Sequence, residues 1–171
     1  MDGKNSKEIR EAVKTMESKQ ELKEQIVEKC VRYFDNGYGF ACVESVVLGY
    51  KDYFGIEDDI IPKIATPFGG GIAGNGLTCG ALQGAIMCLG LKYGRADSIT
   101  DRQVLYQKVD NLLQKFQEYY GTLDCGGIRM IPPVLKKDSV KLKKIKDCYH
   151  ENVCNELVRN VAGWVAEELE L

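Results

Sequence analysis

The stretch from Thr66 to Gly94, TPFGGGIAGNGLTCGALQGAIMCLGLKYG, constrains the fold more than any other part of the chain. Gly69, Gly70, Gly71, Gly74 and Gly76 crowd together ahead of a cysteine and an apolar run. Such density marks a backbone that takes positive φ or approaches another group closely, so a shaped loop is predicted. Thr78 is placed to cap a helix from about Cys79 to Tyr93. That puts Cys79 in the first turn, where unpaired amides and the positive end of the dipole favour a thiolate. Gly80 and Gly84 share one face of this helix and leave room for a neighbouring backbone, and Gly94 is the expected stop.

At 171 residues and 44% hydrophobic content the chain can bury a real core, most simply as one domain over 1–171, with residues 1–18 as an N-terminal extension helix. A net charge of −2, with both signs mixed throughout, gives no pull toward nucleic acid or anionic lipid. The first residues are too polar for a signal peptide. The most apolar segment, Leu77 to Leu91, is short and interrupted by Gln83, so no membrane insertion is expected and the protein reads as soluble and cytoplasmic. Seven cysteines are many for such a chain, and a reducing compartment disfavours structural disulfides. Metal, cluster or redox use becomes the leading explanation.

The remaining periodicity is helical. Asn5-Ser6-Lys7-Glu8 and Ser18-Lys19-Gln20-Glu21 read as capping boxes that split the N-terminal region into two helices, the second from about Lys19 to Phe34. Ile9, Val13 and Met16 make a stripe on the first; Ile26, Val27, Cys30, Val31 and Phe34 make one on the second. After the turn Asp35 to Gly39, Phe40 to Val47 starts another helix that ends near Phe54-Gly55. Glu57-Asp58-Asp59 opens a short helix that stops before Thr66-Pro67. Ser98-Ile99-Thr100-Asp101 resembles a capping box ahead of a long stripe from Val104 to Phe116 that ends at Gly121. Asp138 can cap a final helical region, with a break possible between Asp147 and Glu151. No alternation insists on a sheet. The fold is predicted all-α, a single-domain helical bundle whose glycine-rich loop leads into a central helix.

The cysteines sort by context. Cys42 lies in a first helical turn after a glycine-containing turn, and Cys79 repeats that placement. Cys125, in Thr122 to Gly127, is expected in a non-helical, glycine-flanked turn suited to ligation. Cys148 and Cys154 lie about 600° apart on a continuous helix, hence on different faces, and Cys154 is nearer the apolar one. Cys30 and Cys88 sit within core-facing stripes and read as small buried hydrophobes. The letters Gly69 to Gly74 satisfy GxGxxG, but no strand precedes them and no helix follows at once, so a nucleotide site is rejected. The loop instead suggests a nest of amides turned toward an anionic sulfur centre. His150 and Cys154 could share a helix face in a zinc site, although compact CxxC partners are missing. The lysine run from Lys136 to Lys146 has no interleaved aromatics and reads as a solvated face. P-loop, HExxH and GxSxG motifs are absent.

Several of these segments together resemble the C_GCAxxG_C_C family of redox-active proteins. They are Phe40-Ala41-Cys42-Val43-Glu44, Phe68-Gly69-Gly70-Gly71, Cys79-Gly80-Ala81-Leu82-Gln83-Gly84, Gly90-Leu91-Lys92-Tyr93-Gly94, Gly121-Thr122-Leu123-Asp124-Cys125 and Cys154-Asn155-Glu156-Leu157-Val158. The resemblance spans about Cys30 to the C-terminus. It implies a small prokaryotic protein with four key cysteines and no assigned substrate. The family is similar to the cluster-bearing part of split-Soret cytochromes c, which implies an iron–sulfur centre; the chain has no CxxCH for covalent haem.

The expectation is therefore that Cys42, Cys79, Cys125 and Cys154 converge to ligate a two-iron or four-iron cluster for electron transfer or redox sensing, with Cys148 as the alternative to Cys154. Gly69, Gly70, Gly71 and Gly80 would line it. One rival is a metal-free thiol–disulfide oxidoreductase with Cys79 as the attacking thiol and Cys42 or Cys125 resolving it. The other is a structural zinc site. A redox partner protein is implied, and the glycine face of the central helix could meet its own copy in a homodimer.

Overall fold

The structure, a computed structural model, describes residues 3–35, 38–57, 59–130 and 153–171. Among these the chain is all-α, with seven α-helices: α1 (Gly3–Asp35), α2 (Cys42–Gly49), α3 (Ile60–Ala65), α4 (Gly80–Tyr93), α5 (Gln103–Tyr120), α6 (Cys125–Ile128) and α7 (Asn155–Glu168). A 3-10 turn, Thr66–Phe68, extends α3. The β pairing found among the described residues is one isolated antiparallel bridge between Thr78 and Asp124. No described helix is long and apolar enough to cross a membrane.

The shortest of the core helices lies at the centre. In α2 every residue from Val43 to Gly49 is buried, as expected for a helix that is apolar nearly all round. It is sandwiched between α1 and α4, and α7 closes the bundle against α1 and α4. Two close approaches make the sandwich possible. A Cβ on Gly49 would stand 2.1 Å from Cys30 Sγ of α1, and a Cβ on Gly84 would stand 2.7 Å from the Val43 carbonyl. The glycine face of α4 is thus occupied by α2 of the same chain, which corrects the expectation that it could meet a second copy. Tyr50, fully buried, donates its hydroxyl to the Ala162 carbonyl of α7 at 2.7 Å. Trp164 of α7 meets Phe116 and Tyr120 of α5 at ring-centroid distances of 6.2 and 6.1 Å, and those two rings pack within α5 at 4.8 Å. The end of α7 is held by Lys108 Nζ and Tyr93 Oη, which donate to the Glu168 carbonyl.

Several predicted boundaries move. The N-terminal region is one helix of 33 residues, not two, because the Ser18 hydroxyl donates backward to the Thr15 carbonyl instead of capping Lys19 and Gln20. Val13 and Met16 of the predicted first stripe are exposed, while Ile26, Val27, Cys30 and Phe34 are buried. α2 ends at Gly49, short of Phe54, and turns carry the chain on to Gly55. Before α5 it is Asp97, not Ser98, that organises the turn by accepting from the amides of Ile99 and Thr100; Asp101 accepts from Gln103. The stops at Gly94 and Gly121 stand as read, Gly121 in the left-handed conformation. Pro132-Pro133, the lysine run, Asp138, Cys148 and His150 lie outside the described residues.

Two glycine substitutions should separate close approach from simple chain entropy. Gly49→Ala drives a methyl into Cys30 and is expected to destabilise by about 1–3 kcal/mol or more. Gly90→Ala, whose Cβ would meet nothing within 4 Å in the interior of α4, is expected to stabilise by roughly 0.5–1 kcal/mol. Denaturant unfolding of both variants measures the pair; equal shifts of one sign would contradict the packing described.

Candidate metal centre

Four elements each deliver one cysteine to the same place. Cys42 is the first residue of α2. Its approach is fixed by Glu44, which accepts from the Ala41 amide (2.6 Å) through one oxygen and from the Thr66 hydroxyl (2.5 Å) through the other. Buried Glu44 thereby clamps the start of α2 to the turn that leads into the glycine loop. Cys79 caps α4 from outside, with extended backbone (φ −55°, ψ 130°), so the helix begins at Gly80 and Thr78 is not its cap. Cys125 opens α6, a single helical turn where a non-helical turn was predicted. Cys154 lies in a π-helical turn with Val153, immediately ahead of α7.

The loop between Phe68 and Thr78 brings the second and third of these together. Gly70, Gly71, Ile72, Ala73 and Gly74 are consecutive residues with φ between 50° and 75°, a left-handed turn in which a β-branched isoleucine is a genuine outlier. The turn lays residues 76–79 beside residues 123–126. There the Cys79 amide donates to Leu123 O (2.8 Å), the Cys125 amide to Leu77 O (2.8 Å) and the Gly126 amide to Gly76 O (2.9 Å). Gly71 needs glycine for contact as well as conformation, and Gly80 for contact alone. A Cβ on Gly71 would stand 2.4 Å from Leu77 O and 2.8 Å from Cys125 Cβ, and one on Gly80 would stand 2.6 Å from Cys42 Sγ.

Cys42, Cys79, Cys125 and Cys154 line one cavity of about 150 Å³. A void of that size accepts a benzene-sized guest. Phe34, Ala41, Ile128 and Leu157 supply its apolar wall, and Gly70 and Arg129 complete it. Sequence reasoning missed these walls, apart from Gly70. Arg129 could have been found, since it stands four residues after Cys125 and so returns to the same side of a helical turn. Cys30 and Cys88, both fully buried, are part of the core and are not among the cavity-lining residues. The Cys30 thiol is pushed up to about 12 by burial and stands 3.6 Å from the Val46 carbonyl.

Electrostatics reveal how closely the four thiols crowd. Burial pushes the Cys42 thiol up, opposed by the Gly70 amide and, more weakly, by the amides of Val43 and Ala81, while neighbouring Cys125 adds to the rise. Cys42 keeps some accessible surface only because it faces the cavity; the protein packed around it is what raises it. Burial also pushes Cys79 up, reinforced by Cys42 and Cys125 and opposed by the amides of Leu82 and Ala81. Cys154 rises to about 11 through burial, with Arg129 opposing and Cys42 and Cys125 adding. Two expectations are corrected here. Cys79 is not a low-pKa thiol: the dipole at the start of α4 is outweighed by desolvation and by the adjacent thiols. The loop is not a general nest either, because the amides of Gly69, Ile72, Ala73, Gly74, Asn75, Gly76 and Leu77 are bonded to carbonyls of the loop or of the 3-10 turn before it. The Gly70 amide donates to the Cys42 thiol, and the other amides that oppose the rise at Cys42 and Cys79 come from the first turns of α2 and α4. Among the described residues no group of three or more His, Cys, Asp or Glu closes on a point that could hold one metal ion.

Residues 40–168 match the model of a family described as "Putative redox-active protein (C_GCAxxG_C_C)". The chain belongs to this family. The matched span contains all four cavity cysteines and leaves the whole of α1 outside it. No curated protein and no solved structure matches the chain.

If the left-handed turn is what positions residues 76–79, Gly71→Ala should loosen the pairing with 123–126. Amide exchange at Cys79 and Cys125 is expected to speed up by roughly tenfold or more, the effect of about 1–3 kcal/mol of local strain. Exchange as slow as in the parent chain would contradict the role given to the turn.

Proposed function

We propose that the protein is a one-electron redox protein that binds an iron–sulfur cluster through Cys42, Cys79, Cys125 and Cys154. The carrying observation is that four thiols from four separate elements face one void, with amides from Gly70 and from the starts of α2 and α4 donating to sulfur. This donor set fits the group: four thiolates suit either a two-iron or a four-iron cluster, and amide donation to sulfur is a means of tuning it. Bound there, the cluster would supply reversible one-electron chemistry. The chain's own residues would hold it, exclude water through Phe34, Ile128 and Leu157, and stabilise negative charge on sulfur. The protein would exchange electrons with a redox partner protein or respond to redox poise.

The two rivals draw less support. A dithiol oxidoreductase needs a thiol held below its usual range, and burial pushes Cys42, Cys79 and Cys154 the other way. A structural zinc site closes four donors on one ion, whereas these thiols border a void. Cys148, the alternative fourth ligand, lies outside the described residues.

Anaerobic purification or reconstitution, followed by iron and acid-labile sulfide analysis and a visible spectrum, tests the proposal. The parent chain is expected to carry iron and sulfide in equal amounts. Cys79→Ala should lose both, while Cys88→Ala should keep them and lose only about 1–3 kcal/mol of stability. Stoichiometric zinc without visible absorption, or a reversible disulfide with substoichiometric iron, would refute the cluster reading. A substituted Cys148, but not Cys154, that abolishes iron binding would reassign the fourth ligand.

A further inference from the structure

The cavity holds one feature that ligation does not explain. Among the described residues lining it, four are thiols, the others apart from Arg129 are apolar or glycine, and Arg129 is the one charged side chain. Arg129 follows the single turn of α6 directly, with its amide donating to the Cys125 carbonyl (3.1 Å), so its backbone is tied to one of the four cysteines. The remaining wall of Phe34, Ala41, Ile128 and Leu157 offers no polar side chain to solvate an anion. An uncompensated charge in such surroundings is strongly disfavoured.

Building on the iron–sulfur reading above, we propose that Arg129 is the counter-charge of the site, and that it sets how readily the site takes up an electron. Reduction adds one electron and one negative charge; no bond forms or breaks, and the guanidinium remains protonated throughout. A fixed cation at the wall lowers the energy of the more negative state, so Arg129 raises the reduction potential. Amide donors alone, which carry only partial charges, would leave it lower. Arg129 acts here on the energetics of the centre and is not a ligand.

The test uses the full chain with Arg129→Gln, Arg129→Lys and, as a distant cation paired with Glu168, Lys108→Gln. In anaerobically reconstituted protein titrated with dithionite, Arg129→Gln should shift the midpoint to a more negative potential. Arg129→Lys should stay near the parent, and Lys108→Gln should not move. A midpoint unchanged in Arg129→Gln, or lowered equally by Gln and Lys, would overturn the proposal. If Arg129→Gln folds but holds no iron while Arg129→Lys does, the charge is required for loading and the proposal stands; loss of iron from both variants with helical content retained would overturn it.

A second readout needs no cluster. In the reduced, metal-free chain at one pH, the rates of Cys154 alkylation by iodoacetate and by neutral iodoacetamide are compared by mass spectrometry. Their ratio cancels thiol ionisation and reports the local field. It should fall about fivefold in Arg129→Gln, the scale of one screened charge at a few ångströms, and be retained in Arg129→Lys. An unchanged ratio would overturn the proposal. Should the parent chain take up no iron, the cluster reading falls while the alkylation ratio still decides the role of Arg129.

Discussion

The site depends on three backbone hydrogen bonds between residues 76–79 and 123–126. They pair two segments that neither a helix nor a sheet would otherwise bring together, and they fix Cys79 and Cys125 at adjacent positions. Short antiparallel pairings of this size are not stable alone. What holds this one is its setting: the 76–79 segment runs straight into α4, which packs on α2, and the 123–126 segment leaves α5 through Gly121. The left-handed turn from Gly70 to Gly74 is the cost of the arrangement. Ile72 and Ala73 each carry strain of order 1–3 kcal/mol, offset by the loop's own amide-to-carbonyl bonds. Two adjacent strained residues in one turn are consistent with a loop whose geometry serves a site more than it serves stability.

Much of this was legible because local rules and global packing agree. The ends of α4 and α5 carry Gly94 and Gly121, and the placement of Cys42 at the start of α2 follows from the turn before it. Where they disagree, sequence reading failed for identifiable reasons. Ser18 has the letters of a cap but back-bonds within a helix that the body of the protein continues through. Asp97 outcompetes Ser98 because a carboxylate can accept from two amides at once. The glycine density was rightly taken as a shaped loop, but composition cannot show where amides go. In this loop most of them satisfy its own carbonyls. The cavity walls were invisible for a different reason: Phe34, Ile128 and Leu157 come from the ends of three elements far apart in sequence, and only tertiary packing makes them neighbours.

Burial ties the geometry to the chemistry. A thiol surrounded by protein and by other thiols is held neutral, so without a cationic guest the site resists forming the thiolate that dithiol exchange requires. A bound metal centre inverts that logic, because coordination deprotonates a thiol outright and the positive charge of the metal replaces the missing solvent. The features that make Cys42, Cys79 and Cys154 poor nucleophiles are therefore compatible with their being ligands. The same reasoning couples the site to the fold. Because the four sulfurs arrive from the starts of α2, α4, α6 and α7, a guest that binds all of them cross-links the bundle at the point where its helices converge, and binding energy becomes folding energy. A charged guest held in this way still needs compensation beyond the partial charges of the helix amides, and among the described residues lining the cavity the one charged side chain is Arg129.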